Sequence, residues 1–167
     1  MEGKRVKESA VVMSQMMNPQ DTNPAGNVHG GVIMRLIDTA AGVVATRHAR
    51  SNVVTASIDR LDFHHPAFCG NLLILRASLN LVGKTSMEVG VRVETENLIT
   101  GERRHTASAY LTYVALDKQG RTQPVPPLAL ETEEEMRRNR EAKARREMRL
   151  AEKKKEKGCQ IAADDCS

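Results

Sequence analysis

Between residues 21 and 42 the chain reads DTNPAGNVHGGVIMRLIDTAAG, in which a carboxylate, two amides and paired glycines stand at spacings suited to attack on a carbonyl carbon. Ile33, Leu36, Ile37, Ala40 and Val44 recur at intervals of three and four, the signature of one helix face. If Ile33, Ile37 and Val44 mark the core direction, Asp38 lies on another flank, beside Met34, Ala41, Gly42 and Ala45. So small and apolar a flank calls for cover, and a mid-helix glycine costs about 1 kcal/mol relative to alanine unless something must come close. A substrate tunnel or a partner subunit would supply that cover, and a carboxylate partly withdrawn from water is a stronger base. A solvated carboxylate on an ordinary helix is the competing description.

His29, Gly30 and Gly31 sit at the start of that helix, where backbone N–H groups lack intrahelical partners. The helix dipole adds partial positive charge there, so Gly30 and Gly31 offer a place for a carbonyl oxygen that becomes an oxyanion. A loop that needs glycine to enter the helix would explain the same residues. Asn23 and Asn27 either cap the helix or hold a water or carbonyl near its tip.

Other chemistries find less support. His64, His65 and Asp62 invite a metal, but neighbouring histidines on a strand point to opposite faces, and His29, His48 and His105 show no ligand spacing. The expectation is no metal and no cofactor. There is no G-x-S-x-G, G-x-G-x-x-G or phosphate-loop pattern, so hydrolysis by an activated water survives the pruning.

The elements that must position these groups follow from hydropathy. Residues 9–17 read as a strand, followed by a turn-rich loop through Asn27 and a helix over 29–47. Strands follow over 52–63 and 72–82. Met87, Val89, Val91 and Val93 then alternate with polar residues, as do Ala107, Ala109, Leu111, Tyr113 and Ala115, each predicting a strand with one buried and one watered face. One strand, one helix and four strands make an α+β protein in which the helix buries its stripe against an antiparallel sheet. The predicted organisation is an arm over 1–8, a domain over 9–130, a charged helix over 131–157 and a disordered tail over 158–167.

Composition narrows the partners. The 167 residues suit one core. With Tyr 2, Phe 2 and Trp 0 there is no aromatic platform for stacking bases. Residues 131–157 hold 11 of the 25 basic and 8 of the 21 acidic residues, so the remainder is nearly neutral and has no broad footprint for duplex nucleic acid. Opposite charges four apart, such as Glu133 with Arg137, Glu134 with Arg138 and Glu141 with Arg145, predict a solvated helix with a thin apolar stripe of Met136, Ala144, Met148 and Ala151. Cys69, Cys159 and Cys166 lack CxxC spacing and read as reduced thiols. With no signal peptide and no apolar run long enough to span a membrane, the setting expected is the cytoplasm.

The stretches NPAGNVHGGVIMRLIDTAAGVVATRH, NVVTASIDRLDFHHPAFCGN, GKTSMEVGVRVETEN and TASAYLTYVALDKQGRTQPVPPL, in this order, resemble the hotdog-fold acyl-CoA thioesterases, in the branch of the brain-type acyl-CoA hydrolase and its single-domain bacterial relatives. The resemblance covers about residues 9–135. It implies a long helix wrapped by an antiparallel sheet, pairing of two units edge to edge, and three pairs in a hexamer. It also implies an active site shared between units, Asn23 of one facing Asp38 of the other. Asp38 would act as general base, or as nucleophile through a mixed anhydride, with the carbonyl held at Gly30 and Gly31. CoA contacts would fall on His29, Lys84, Thr85 and Ser86. Two rivals remain: a hydroxyacyl-thioester dehydratase of the same fold, and a sensor that binds acyl-CoA without turnover.

Overall fold

The computed structural model describes residues 1–164, with side chains described to residue 156. The sheet is assembled from β2 (Val11–Met16), β3 (Asn52–Phe63), β4 (Asn71–Val82), β5 (Ser86–Asn97) and β6 (Arg103–Leu116), in the spatial order β2-β4-β5-β6-β3 with every pairing antiparallel. It curls around helix α1 (Gly30–Ala49), which is the hotdog arrangement of the α+β class. Ile33, Leu36, Ile37, Ala40 and Val44 are all buried, and they meet the inward residues of the two alternating strands, Met87 to Val93 and Ala107 to Ala115. α1 stops at Arg50, whose φ of 54° turns the chain into the left-handed region while its N–H bonds the Thr46 carbonyl.

Two features differ from the sequence reading. First, the N-terminal arm is not separate from the body. Lys4–Arg5 forms β1, which pairs in parallel with β7 (Leu128–Ala129), and the Lys4 ammonium donates to the His48 carbonyl at 2.7 Å. Strands of two residues carry no hydropathy period to read.

Second, the charged helix α2 (Glu133–Asp164) docks on the outer face of the sheet through polar side chains. The predicted stripe of Met136, Ala144, Met148 and Ala151 is exposed, whereas Asn139 and Ala142 are buried. The Asn139 amide donates to the Asn80 carbonyl at 2.8 Å, and Arg145 lies 3.8 Å over the Tyr110 ring while pairing with Glu88 at 2.7 Å. Arg149 reaches Asp59 and Thr112. The helix entrance is set by a capping box, Glu135 N–H donating to the Thr132 hydroxyl and Thr132 N–H to the Glu135 carboxylate. Of the predicted surface pairs, Glu134 with Arg138 forms at 2.5 Å, Arg137 turns to Glu141, and Arg145 leaves the surface for the sheet. The helix bounds run on through 158–164, where a disordered tail was expected; residues 165–167 lie outside the described residues.

Candidate active site

The loop before α1 is knotted by its own polar groups. Asp21 is buried, accepts the Asn18 N–H at 2.8 Å, and offers its carbonyl to the His29 N–H at 2.8 Å. Asn23 accepts the N–H groups of Ala25 and Asn27 at 3.0 and 3.2 Å through its side-chain oxygen, so it stabilises the loop and leaves its NH₂ for another partner. Neither Asn23 nor Asn27 caps the helix. His29 does, its Nδ1 accepting the Gly31 N–H at 3.0 Å. The Gly31 N–H is therefore occupied, while that of Gly30 has no partner among the described residues. A Cβ on Gly30 would stand 3.7 Å from Phe63, in ordinary contact with that ring.

Asn23, Asn27, Gly30, Phe63, His64 and His65 line one cleft of about 370 Å³, within the range of small-molecule sites. The His64 ring packs tilted against His105, with centroids 4.6 Å apart and planes at 43°, and His65 bonds the His105 carbonyl, so these rings form one wall. They follow the end of β3 and do not sit within it. Asp62 is paired with Arg60 at 2.5 Å. Among the described residues no three His, Cys, Asp or Glu side chains gather as a metal site would require, and Cys69 is a free exposed thiol.

Asp38 is not in this cleft. Eight residues along α1 from Gly30, it stands about 12 Å up the helix axis. Its Oδ1 accepts two hydroxyl hydrogen bonds at 2.7 Å, from Thr55 on β3 and from Tyr113 on β6. Thr55 and Tyr113 are register partners, so both point to the same sheet face and reach the same carboxylate. Burial, with the nearby Asp38 charge, holds the Tyr113 phenol far above its ordinary range, so it is a proton donor throughout neutral pH. The flank inferred to need cover is divided. Ala41 and Ala45 are buried in the chain's own core, while Met34 remains exposed and Asp38 sits at the border.

Single-chain geometry thus brings Asn23 and Gly30 together and leaves Asp38 apart. Thr55 and Tyr113 were missed in the sequence; the register of an edge strand against its neighbour, which sequence does not print, is what unites them. Lys84 is exposed in the β4–β5 turn, where the Lys84 and Thr85 carbonyls accept N–H groups of Val125 and Ala115 at 3.0 Å. A further cavity, of about 400 Å³, lies between α2 and the outer sheet face, but its guanidinium groups are committed: Arg76 and Arg92 to Glu94, Arg138 to Glu134, Arg145 to Glu88.

A helix cradled by this sheet, with a carboxylate on its flank and an open N–H at its tip, is matched by the model of the thioesterase superfamily over residues 25–102. The chain belongs to that family and is a thioester hydrolase. It is 45% identical over 130 residues to the uncharacterized acyl-CoA thioester hydrolase YkhA of Bacillus subtilis, covering 78% of this chain and 76% of that one. It is 39% identical over 142 residues to the human cytosolic acyl coenzyme A thioester hydrolase, covering 84% of this chain but only 37% of the human one. Among solved structures, an apo-hexameric acyl-CoA thioesterase superposes with a TM-score of 0.88 at 42% identity, covering 91% and 97% of the two chains. The Staphylococcus aureus acyl-CoA hydrolase, solved with butyryl-CoA, CoA and CoA disulfide, gives 0.86 at 35% identity, covering 93% and 94%.

Proposed function

We propose that the chain hydrolyses fatty acyl-CoA to the free acid and CoA at a site completed by a second copy of itself. The observation that carries the reading is that one chain makes both halves, the Asn23–Gly30 cleft and the hydroxyl-held Asp38, yet keeps them apart. β3 is an edge strand with Val54 and Ile58 exposed, and an unpaired edge of that kind invites a partner strand. Pairing two β3 edges would bring Asn23 of one copy to Asp38 of the other, giving two equivalent sites. Support comes from the S. aureus hydrolase, whose solved variants replace an Asn, an Asp and a Thr spaced along that chain as Asn23, Asp38 and Thr55 are here. Assembly of three pairs has a counterpart in the hexameric thioesterase.

In the reaction, the free Oδ2 of Asp38 takes a proton from water as its oxygen bonds to the thioester carbon. The carbonyl oxygen becomes an oxyanion facing the Gly30 N–H, and the Asn23 amide orients the water or that oxygen. Collapse breaks the carbon–sulfur bond, and the leaving thiolate takes the proton back from Asp38. The chemistry asks for no metal or cofactor. Lys84 would face a CoA phosphate, with Thr85 and Ser86 near the pantetheine amides and the His29 Nε2 left for the ligand. A cytosolic setting belongs to the proposal; no described helix is long and apolar enough to cross a membrane, and the human relative is named cytosolic.

Thiol release from a series of acyl-CoA esters tests the reading. Asp38→Asn is expected to lower turnover on the order of 10²- to 10⁴-fold with CoA binding retained. Turnover by the variant at the wild-type rate would refute the assignment.

A further inference from the structure

We propose that Tyr113 is a positioning residue for Asp38, fixing the carboxylate so that one oxygen is anchored and the other is presented to water. The assignment rests on the thioester-hydrolase mechanism above and goes beyond its named residues. Tyr113 does not line the Asn23–Gly30 cleft and acts only through the carboxylate it holds.

Its side chain lies on the inward face of β6 and is 2% exposed, so the ring is locked by the core. From there its hydroxyl stands 2.7 Å from Asp38 Oδ1 and 2.9 Å from the Asp38 backbone carbonyl. A hydroxyl carries one proton, so that proton is shared between the carboxylate and the helix backbone of the same residue. The side chain is thereby tied to its own main chain and loses its freedom to swing about χ2. Thr55 donates to the same Oδ1 at 2.7 Å, from an edge strand. Both anchors fall on one oxygen, which leaves Oδ2 to receive the proton. The phenol lies against Gly42, one turn along α1, where a Cβ would stand in ordinary contact 3.8 Å from the Tyr113 hydroxyl. Burial pushes the phenol's pKa up, so the hydroxyl stays a proton donor throughout neutral pH.

The test uses the full chain, with butyryl-CoA as substrate and CoA thiol release as the readout. Tyr113→Phe keeps the ring and removes only the hydroxyl, and Tyr110→Phe, on the opposite face of β6, is the control. Tyr113→Phe is expected to lower kcat on the order of 10- to 100-fold, as for a hydrogen bond to a charged group, with KM within about twofold of wild type and Tm within a few degrees. Tyr110→Phe is expected to keep the wild-type kcat. A kcat for Tyr113→Phe within about twofold of wild type overturns the assignment. A fall in both variants alike, or one accompanied by a large drop in Tm, overturns it in favour of a structural role. If wild type releases no CoA from any ester, the hydrolase mechanism fails and the assignment with it.

Discussion

Replacing Arg145 tests whether α2 is an integral layer of the domain or a solvated appendage. The Glu88 carboxylate is 4% exposed and is met by Arg145 at 2.7 and 3.3 Å, with the Asn80 amide donating at 3.2 Å. Arg145 is itself 19% exposed and covers the Tyr110 ring. Removing the arginine leaves a carboxylate buried without its cation, which costs about 3–5 kcal/mol. In a chain of this size each kcal/mol moves Tm by roughly 2–4 °C, so Arg145→Ala is expected to lower Tm by about 6–20 °C at matched protein concentration. Adding Glu88→Gln removes the orphaned charge while keeping a hydrogen-bonding group beside Asn80, and the double variant is expected to recover more than half of the loss. Differential scanning fluorimetry of the four proteins completes the cycle. A single variant within about 2 °C of wild type, or a double variant less stable than the single, would refute the account of polar docking.

Two further outcomes follow from other parts of the molecule. Ile58→Arg adds a charge to β3, an edge strand, and the variant is expected to run as a monomer in light-scattering chromatography and to lose turnover; active monomers would contradict the proposed shared site. His48 is buried with its Nε2 donating to the Pro126 carbonyl at 2.7 Å and its Nδ1 unpartnered among the described residues. Burial, aided by the Lys4 ammonium, pushes its pKa down. The folded chain therefore binds this proton less readily than the unfolded chain, and the stability His48 contributes is lost as pH falls below about 6.5. His48→Gln is expected to flatten denaturation midpoints measured between pH 7 and pH 5; an unchanged slope would remove His48 as the cause.

The body of the fold was legible because its signals are periodic. The helix stripe from Ile33 to Val44 and the alternation from Met87 to Val93 both report one-sided burial, and the structure buries those faces. Asp38 stood out for a local reason, a carboxylate on a small apolar flank. The face by which α2 docks was not legible, because it is built from Asn139, Ala142, Arg145 and Arg149, and guanidinium stems that cover a sheet look in sequence like solvated charge. Gly31 was expected to offer a free N–H, yet His29 caps it, since histidine in the last position before a helix can accept as asparagine does. Thr55 and Tyr113 lie far apart in the chain, and only strand register reveals that they share one carboxylate.

The parallel latch between β1 and β7 also determines how two distant segments of the domain are held together. Lys4 and Arg5 lie against Leu128 and Ala129, so β1 has a partner strand only when the chain is folded as far as β7. The Lys4 ammonium ties the same segment to the carboxyl end of α1. Losing Leu128 and Ala129 would leave the tie to α1 in place but remove the partner strand, so trimming one of these segments loosens the other.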